Sequence, residues 1–134
     1  MMNTLYIVWR DENNIGIPII DEQHRAAVAT INSLHYFIQE GWGLEALKPT
    51  LQIVKFNFMF HLKTEEGILA KAEFPGIHDQ TAYQKEFSYR IDAAAREALA
   101  YREPELLLKF LKNWWLDHVN KDHMGYAGYL HGKK

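Results

Sequence analysis

His61 and Glu65 stand four residues apart in the apolar stretch Phe58-Met59-Phe60-His61-Leu62-Lys63-Thr64-Glu65. On a helix this spacing turns through about 400° and brings imidazole and carboxylate to one face, where both could grip one ion. It equally fits a core histidine hydrogen-bonded to its neighbouring carboxylate. Two more histidines sit among apolar residues, His24 after Ile19-Ile20-Asp21-Glu22-Gln23 and His118 after Trp114-Trp115-Leu116-Asp117. Buried imidazoles are costly unless their nitrogens find partners, and one divalent cation satisfies several together. The chain has no cysteine, which excludes disulfides, iron–sulfur clusters and thiolate nucleophiles and leaves His and carboxylate as the ligands for any metal.

The remaining histidines carry weaker signals. His35, beside Tyr36, reads as a surface or core-edge residue, and His131 near the C-terminus as solvated. His78 follows the Pro75-Gly76 turn, where capping or exposure is expected, and stays in reserve as a ligand.

Four amphipathic helices must position these groups. Ile20, Ala27, Val28, Ile31, Leu34 and Ile38 recur mostly three or four apart between Ile19 and Glu40, and Gly41-Trp42-Gly43 closes that helix. A second runs from about Leu44 to Ala72 with Leu47, Leu51, Val54, Phe58, His61, Leu62, Glu65 and Leu69 on one side, and Pro49 is a candidate for its first turn. Phe74-Pro75-Gly76 ends it. A third, about His78 to Tyr101, turns Tyr83, Phe87, Ile91, Ala94, Ala95 and Leu99 inward. The fourth, about Pro104 to Lys121, carries Leu107, Leu108, Leu111, Trp114, Trp115 and His118, and an aromatic tail with Tyr126, Tyr129 and Leu130 is expected to pack across one end. Short connections imply antiparallel neighbours, hence an all-α, up-down four-helix bundle. Period-two alternation occurs only at the ambiguous start, Leu5 to Trp9.

With 134 residues, 48% of them hydrophobic and 24% charged, the chain suits one domain over 1–134. A formal charge of −2 with scattered Lys and Arg gives no footprint for nucleic acid. The segment Met1 to Trp9 is too short and polar for a signal peptide, and no apolar run approaches the roughly 20 residues that span a bilayer. A cytoplasmic location without membrane attachment is the expectation.

Taken in order, Trp9, Ile15-Gly16-Ile17, Ile19-Ile20-Asp21-Glu22-Gln23-His24, Ile31-Asn32-Ser33-Leu34, His61-Leu62-Lys63-Thr64-Glu65-Glu66, Phe74-Pro75 and Trp114-Trp115-Leu116-Asp117-His118 resemble the bacterial hemerythrins over nearly the whole chain. In that family two irons bind dioxygen reversibly, held by histidines of all four helices and bridged by a glutamate and an aspartate. The resemblance places His24 on the first-helix ligand, His61 and Glu65 on the second-helix histidine and bridging glutamate, and His118 on the fourth-helix histidine.

Two departures follow. The family's third helix carries two histidines four apart with a phenylalanine three residues after the second. In the register set by Phe87 those positions hold Gln80 and Gln84. The family's bridging aspartate lies five residues after the fourth-helix histidine with an aromatic three beyond, and aligning Tyr126 puts His123 there instead of Asp122. Glutamine is a weak neutral ligand beside imidazole, and histidine does not bridge two irons as a carboxylate does. The expected site is therefore His24, His61, Glu65, His118 and His123 around one five- or six-coordinate ion, with at most one open position. Gln80 and Gln84 would support it by hydrogen bonds. Alternatives keep the location but change the ligands: Asp122 by a one-residue shift, His78 swinging in, Gln80 or Gln84 ligating through its amide oxygen, or a second ion.

The resemblance implies iron, although the donor set tolerates other divalent metals. It also implies a small ligand such as dioxygen, bound for transport, storage or sensing, so a binding protein rather than an enzyme. Two other readings stand beside it: a mononuclear iron enzyme acting on superoxide, peroxide or nitric oxide, and a bundle whose metal is structural or lost and which serves as an interaction module. Oligomeric state is not written in the sequence.

Overall fold

The computed structural model describes residues 5–75, 77–122 and 127–132, with side chains described except at 77–81, 84, 120–122, 131 and 132. Four long helices, α1 (Pro18–Gln39), α2 (Gly43–Lys71), α3 (Ile77–Tyr101) and α4 (Glu105–Asp122), are followed by the short α5 (Gly128–Gly132), and a 3-10 turn at Asp11–Asn13 precedes them. The main contacts run α1 to α2, α2 to α3, α3 to α4 and α4 back to α1, the closed ring of an antiparallel bundle. No strand occurs among the described residues.

The helices stop where the sequence breaks them. α1 ends in a paired closure, with Trp42 N–H donating to Phe37 O at 2.7 Å and Gly41 N–H to Ile38 O at 3.1 Å. Gly41 has φ +84°, the left-handed geometry such a cap requires. α2 and α3 close the same way, Phe74 N–H to Leu69 O and Glu103 N–H to Ala98 O, both 2.9 Å. There the left-handed residues are Glu73 and Arg102, each at φ 55°.

α2 begins earlier than Pro49 suggests. Its first hydrogen bond runs from Ala46 N–H to Trp42 O, and Pro49 lies inside the helix. The bond that proline cannot make falls at exposed Glu45, one turn from the start, where water reaches the carbonyl. Gly43 starts the helix for want of room: a Cβ there would stand 2.7 Å from Pro104 and 2.8 Å from Ile38.

Inside the ring, Val28, Ile31, Leu34, Leu47, Val54, Phe58, Leu62, Phe87, Ile91, Leu107, Leu111 and Trp115 form the main core. On α3 the inward stripe is Phe87, Ile91, Ala95 and Ala98, whereas Leu99, expected inside, is 42% exposed. Residue 98 follows Ile91 by seven and stays on its stripe, while 99 is rotated about 100° further. A smaller core of Ile15, Ile20, Leu69 and Ala127 closes one end, with Leu130 against it. Tyr129 packs on Phe74 and donates its hydroxyl to Ala72 O at 3.0 Å, so the tail covers that end as expected; Tyr126 is outside the described residues.

The alternating start forms no strand. Ile7 is held on α1 by one side chain that imitates a strand partner: Asn32 Oδ1 accepts from Ile7 N–H and Asn32 Nδ2 donates to Ile7 O, both at 2.8 Å. Among the described residues no helix is long and apolar enough to cross a membrane.

Candidate metal centre

Three helices deliver the site. α1 brings His24, α2 brings His61 and Glu65, and α4 brings His118, all at least 96% buried. Each continues its helix's apolar stripe: His24 lies four residues before Val28, His61 three after Phe58, and His118 three after Trp115. Ligand atoms of the three histidines all lie within 4.8 Å of one another. His61 Nε2 is 2.7 Å from His118 Nε2, and Glu65 Oε1 is 2.9 Å from His61 Nε2 and 3.7 Å from His118 Nε2.

The protonation of His61 follows from its neighbours. Thr64 spends its one hydroxyl proton on Phe60 O at 2.8 Å, so its oxygen accepts from Gln23 Nε2 at 2.8 Å. The Gln23 amide is thereby oriented with Oε1 toward His61 Nδ1 at 2.9 Å, which makes Nδ1 the donor. A neutral His61 then presents the lone pair of Nε2 to His118 and Glu65. Two imidazole nitrogens and a carboxylate oxygen facing one another at these distances are held together by shared hydrogens or by a metal cation.

The donor set fits a metal. Two cis imidazoles on one ion at about 2.1 Å place their nitrogens about 3 Å apart, close to the observed 2.7 Å. Glu65 is 1% exposed, and a carboxylate at that depth costs several kcal/mol unless its charge is balanced.

Aromatic rings hold the site dry and fix one ligand. Tyr83 and Trp114 lie nearly parallel to His118, 10° and 16° off with centroids 5.6 and 5.1 Å away, and Phe58 stands edge-on at 5.7 Å. A cavity of about 20 Å³ adjoins His24 and His61, walled by Ala27, Ile31, Val54, Phe58, Leu111 and Trp114. It has room for one water-sized molecule.

Four of the five expected site residues therefore lie together: His24, His61 and His118 face one another, and Glu65 stands against His61 and His118. His123 lies outside the described residues, as do the side chains of Asp122, His78, Gln80, Gln84 and His131. His35 stands apart, half-buried and stacked on Tyr6 at 4.9 Å. Sequence reasoning missed Gln23 and Thr64 as the pair that orients His61. The available signal was a polar side chain immediately before each of His24 and Glu65 on stripes otherwise apolar. Asp21 was also missed; its carboxylate accepts from Ile15 N–H at 2.7 Å and Gly16 N–H at 3.2 Å and ties the incoming loop to α1 three residues from His24.

No protein-family model matches the chain. It is 29% identical over 126 residues to Bacteriohemerythrin of Stenotrophomonas maltophilia, covering 90% of this chain and 79% of that protein. To Bacteriohemerythrin of Pseudomonas aeruginosa it is 28% identical over 127 residues, 91% and 80% of the two chains. To that of Clostridium acetobutylicum it is 21% identical over 118 residues, 84% and 92%.

Proposed function

Because this chain is a bacterial hemerythrin-like metal-binding protein with three histidines positioned on one point, we propose that it holds one iron ion and binds dioxygen or a similar small molecule there. The observation that carries the reading is the convergence of His24, His61 and His118, with Glu65 against His61 and His118 and with Gln23 setting His61 so that Nε2 carries the lone pair. His123 is the proposed fifth ligand, from its position in the family's pattern. Three imidazoles and a carboxylate, with His123 added, leave one position of an octahedral ion for a small ligand.

When bound, a ferrous ion supplies the open position at which a small oxidant attaches reversibly. The chain's own residues do the rest. Glu65 balances charge, and Gln23 holds the His61 ring in one tautomer and orientation. Phe58, Trp114 and Leu111 keep bulk water from the cavity and limit the ligand to a few atoms.

The test is an absorption spectrum of the iron-loaded, reduced protein through cycles of aeration and deoxygenation. A band that rises and falls reversibly with dioxygen supports the proposal. A spectrum that ignores dioxygen while the iron stays bound overturns the ligand assignment and leaves a structural metal.

A further inference from the structure

The outer face of α2 is apolar along most of its length. Ile53, Phe56, Met59 and Phe60 are 49 to 66% exposed, and Trp42, at the start of the helix, is 60% exposed. Pro49, Ile53, Phe56 and Phe60 follow one another at intervals of four, three and four. That is the spacing of a coiled-coil seam, on the side opposite the buried stripe of Leu47, Val54, Phe58 and Leu62. Beside it a groove of about 430 Å³ separates α1 from α2, lined by Phe37, Trp42, Pro49 and Ile53.

We propose that this face docks a second copy of the chain, the two α2 helices crossing antiparallel about a twofold axis between residues 54 and 55. The pattern is self-complementary in that register. Ile53 faces the second copy's Phe56, and Pro49 faces its Phe60, whose ring enters the groove beside Pro49. Trp42 meets Gly67, where nothing of the chain lies within 4 Å of a would-be Cβ and there is room for an indole. Glu45 and Lys63, both exposed near the ends of the stripe, come within one residue of facing each other, close enough to pair, and do so twice. Each large ring thus meets an aliphatic side chain or a glycine and each charge its opposite, the condition for an isologous contact.

The area agrees. The exposed parts of Phe37, Trp42, Ile53, Phe56, Met59 and Phe60 offer at most roughly 800 Å² per copy on the usual areas of such side chains. That is about what a stable protein interface takes from each partner. His61 is turned about 100° from Phe60 and Glu65 about 180° from Phe56, both buried away from the pairing face.

The test is the mass of the full-length, metal-loaded protein in solution as a function of concentration, alongside Phe56→Glu. The expected result is a dimer at micromolar concentration, weakened roughly 30-fold or more by Phe56→Glu with helical content and metal content unchanged. Register is read by cross-linking, since the chain has no cysteine of its own. Pro49→Cys mixed with Phe60→Cys should form a disulfide-linked pair. Pro49→Cys alone should not, its two thiols being about 16 Å apart along the axis. A monomer at every concentration overturns the proposal and leaves the face to a different partner. A dimer indifferent to Phe56→Glu, or one that cross-links Pro49→Cys to itself, overturns it equally.

Discussion

The Nε2 atoms of His61 and His118, carried on helices diagonal to one another in the closed ring, face each other across the core at 2.7 Å with Glu65 Oε1 beside both. Two ring nitrogens this close in a buried site share a proton or a metal cation, and the amide of Gln23 turns His61 to present a lone pair for it.

Gln23 and Thr64 should therefore matter to metal affinity without touching the metal. Gln23→Leu frees the His61 ring to adopt either tautomer, and Thr64→Val removes the acceptor that orients the amide. Each is expected to weaken metal binding about 10- to 100-fold, read by competition with a chelator of known affinity. Gln23→Glu, which still accepts from Nδ1, should recover most of it. Unchanged affinity in all three would show that His61 is held by packing alone.

Metal should stabilise the fold, and acid should reverse that. The ion gathers ligands from α1, α2 and α4, so it binds the native chain far better than the unfolded one and raises the melting temperature with concentration. Protons compete for the same imidazoles, so the metal-dependent part of the stability is full at neutral pH and is lost as pH falls. Thermal melts with and without chelator across that range check this. His118→Ala should abolish the metal-dependent increment.

Arg102 and Glu73 hold the left-handed position of their caps at φ 55°, which costs an L-residue about 1 kcal/mol. Both are exposed. Arg102→Gly, and separately Glu73→Gly, should stabilise the protein by about 0.5–1 kcal/mol, near 2–4 °C in melting temperature, in a denaturation experiment. The same change at Leu99, in the interior of α3, should cost about 1 kcal/mol.

The departures from the hemerythrin pattern can be reversed. Gln80→His and Gln84→His combined with His123→Asp restore the family's ligand set by type. The triple variant is expected to take up two irons per chain and to show the absorption of a bridged pair. If it binds no more iron than the parent, the register set by Phe87 and Tyr126 is wrong.

The sequence made the bundle legible because its breaks are chemical: Gly41, Pro75 and Pro104 punctuate stripes of period 3.6. His24, His61, Glu65 and His118 could be found because each continues an apolar stripe, and a polar group there demands a partner. What escaped depended on geometry between helices. Gln23 and Thr64 are 41 residues apart and become a pair only once α1 lies beside α2. Leu99 was placed inside for its side chain, whereas α3 turns the small Ala98 inward. Pro49 looked like a helix start, but the close fit of Gly43 against Pro104 fixes where α2 begins. Leu5 to Trp9 alternates like a strand because one residue of it, Ile7, is bound edge-on by Asn32.

The most direct test is the number of iron ions per chain in protein purified from iron-supplemented cells, counted by elemental analysis against protein concentration. The mononuclear centre we propose, with His24, His61, Glu65, His118 and His123 as ligands, predicts one ion per chain, falling below about a tenth in His61→Ala on the loss of a central ligand. Two ions per chain, or one ion that persists in His61→Ala, would contradict it.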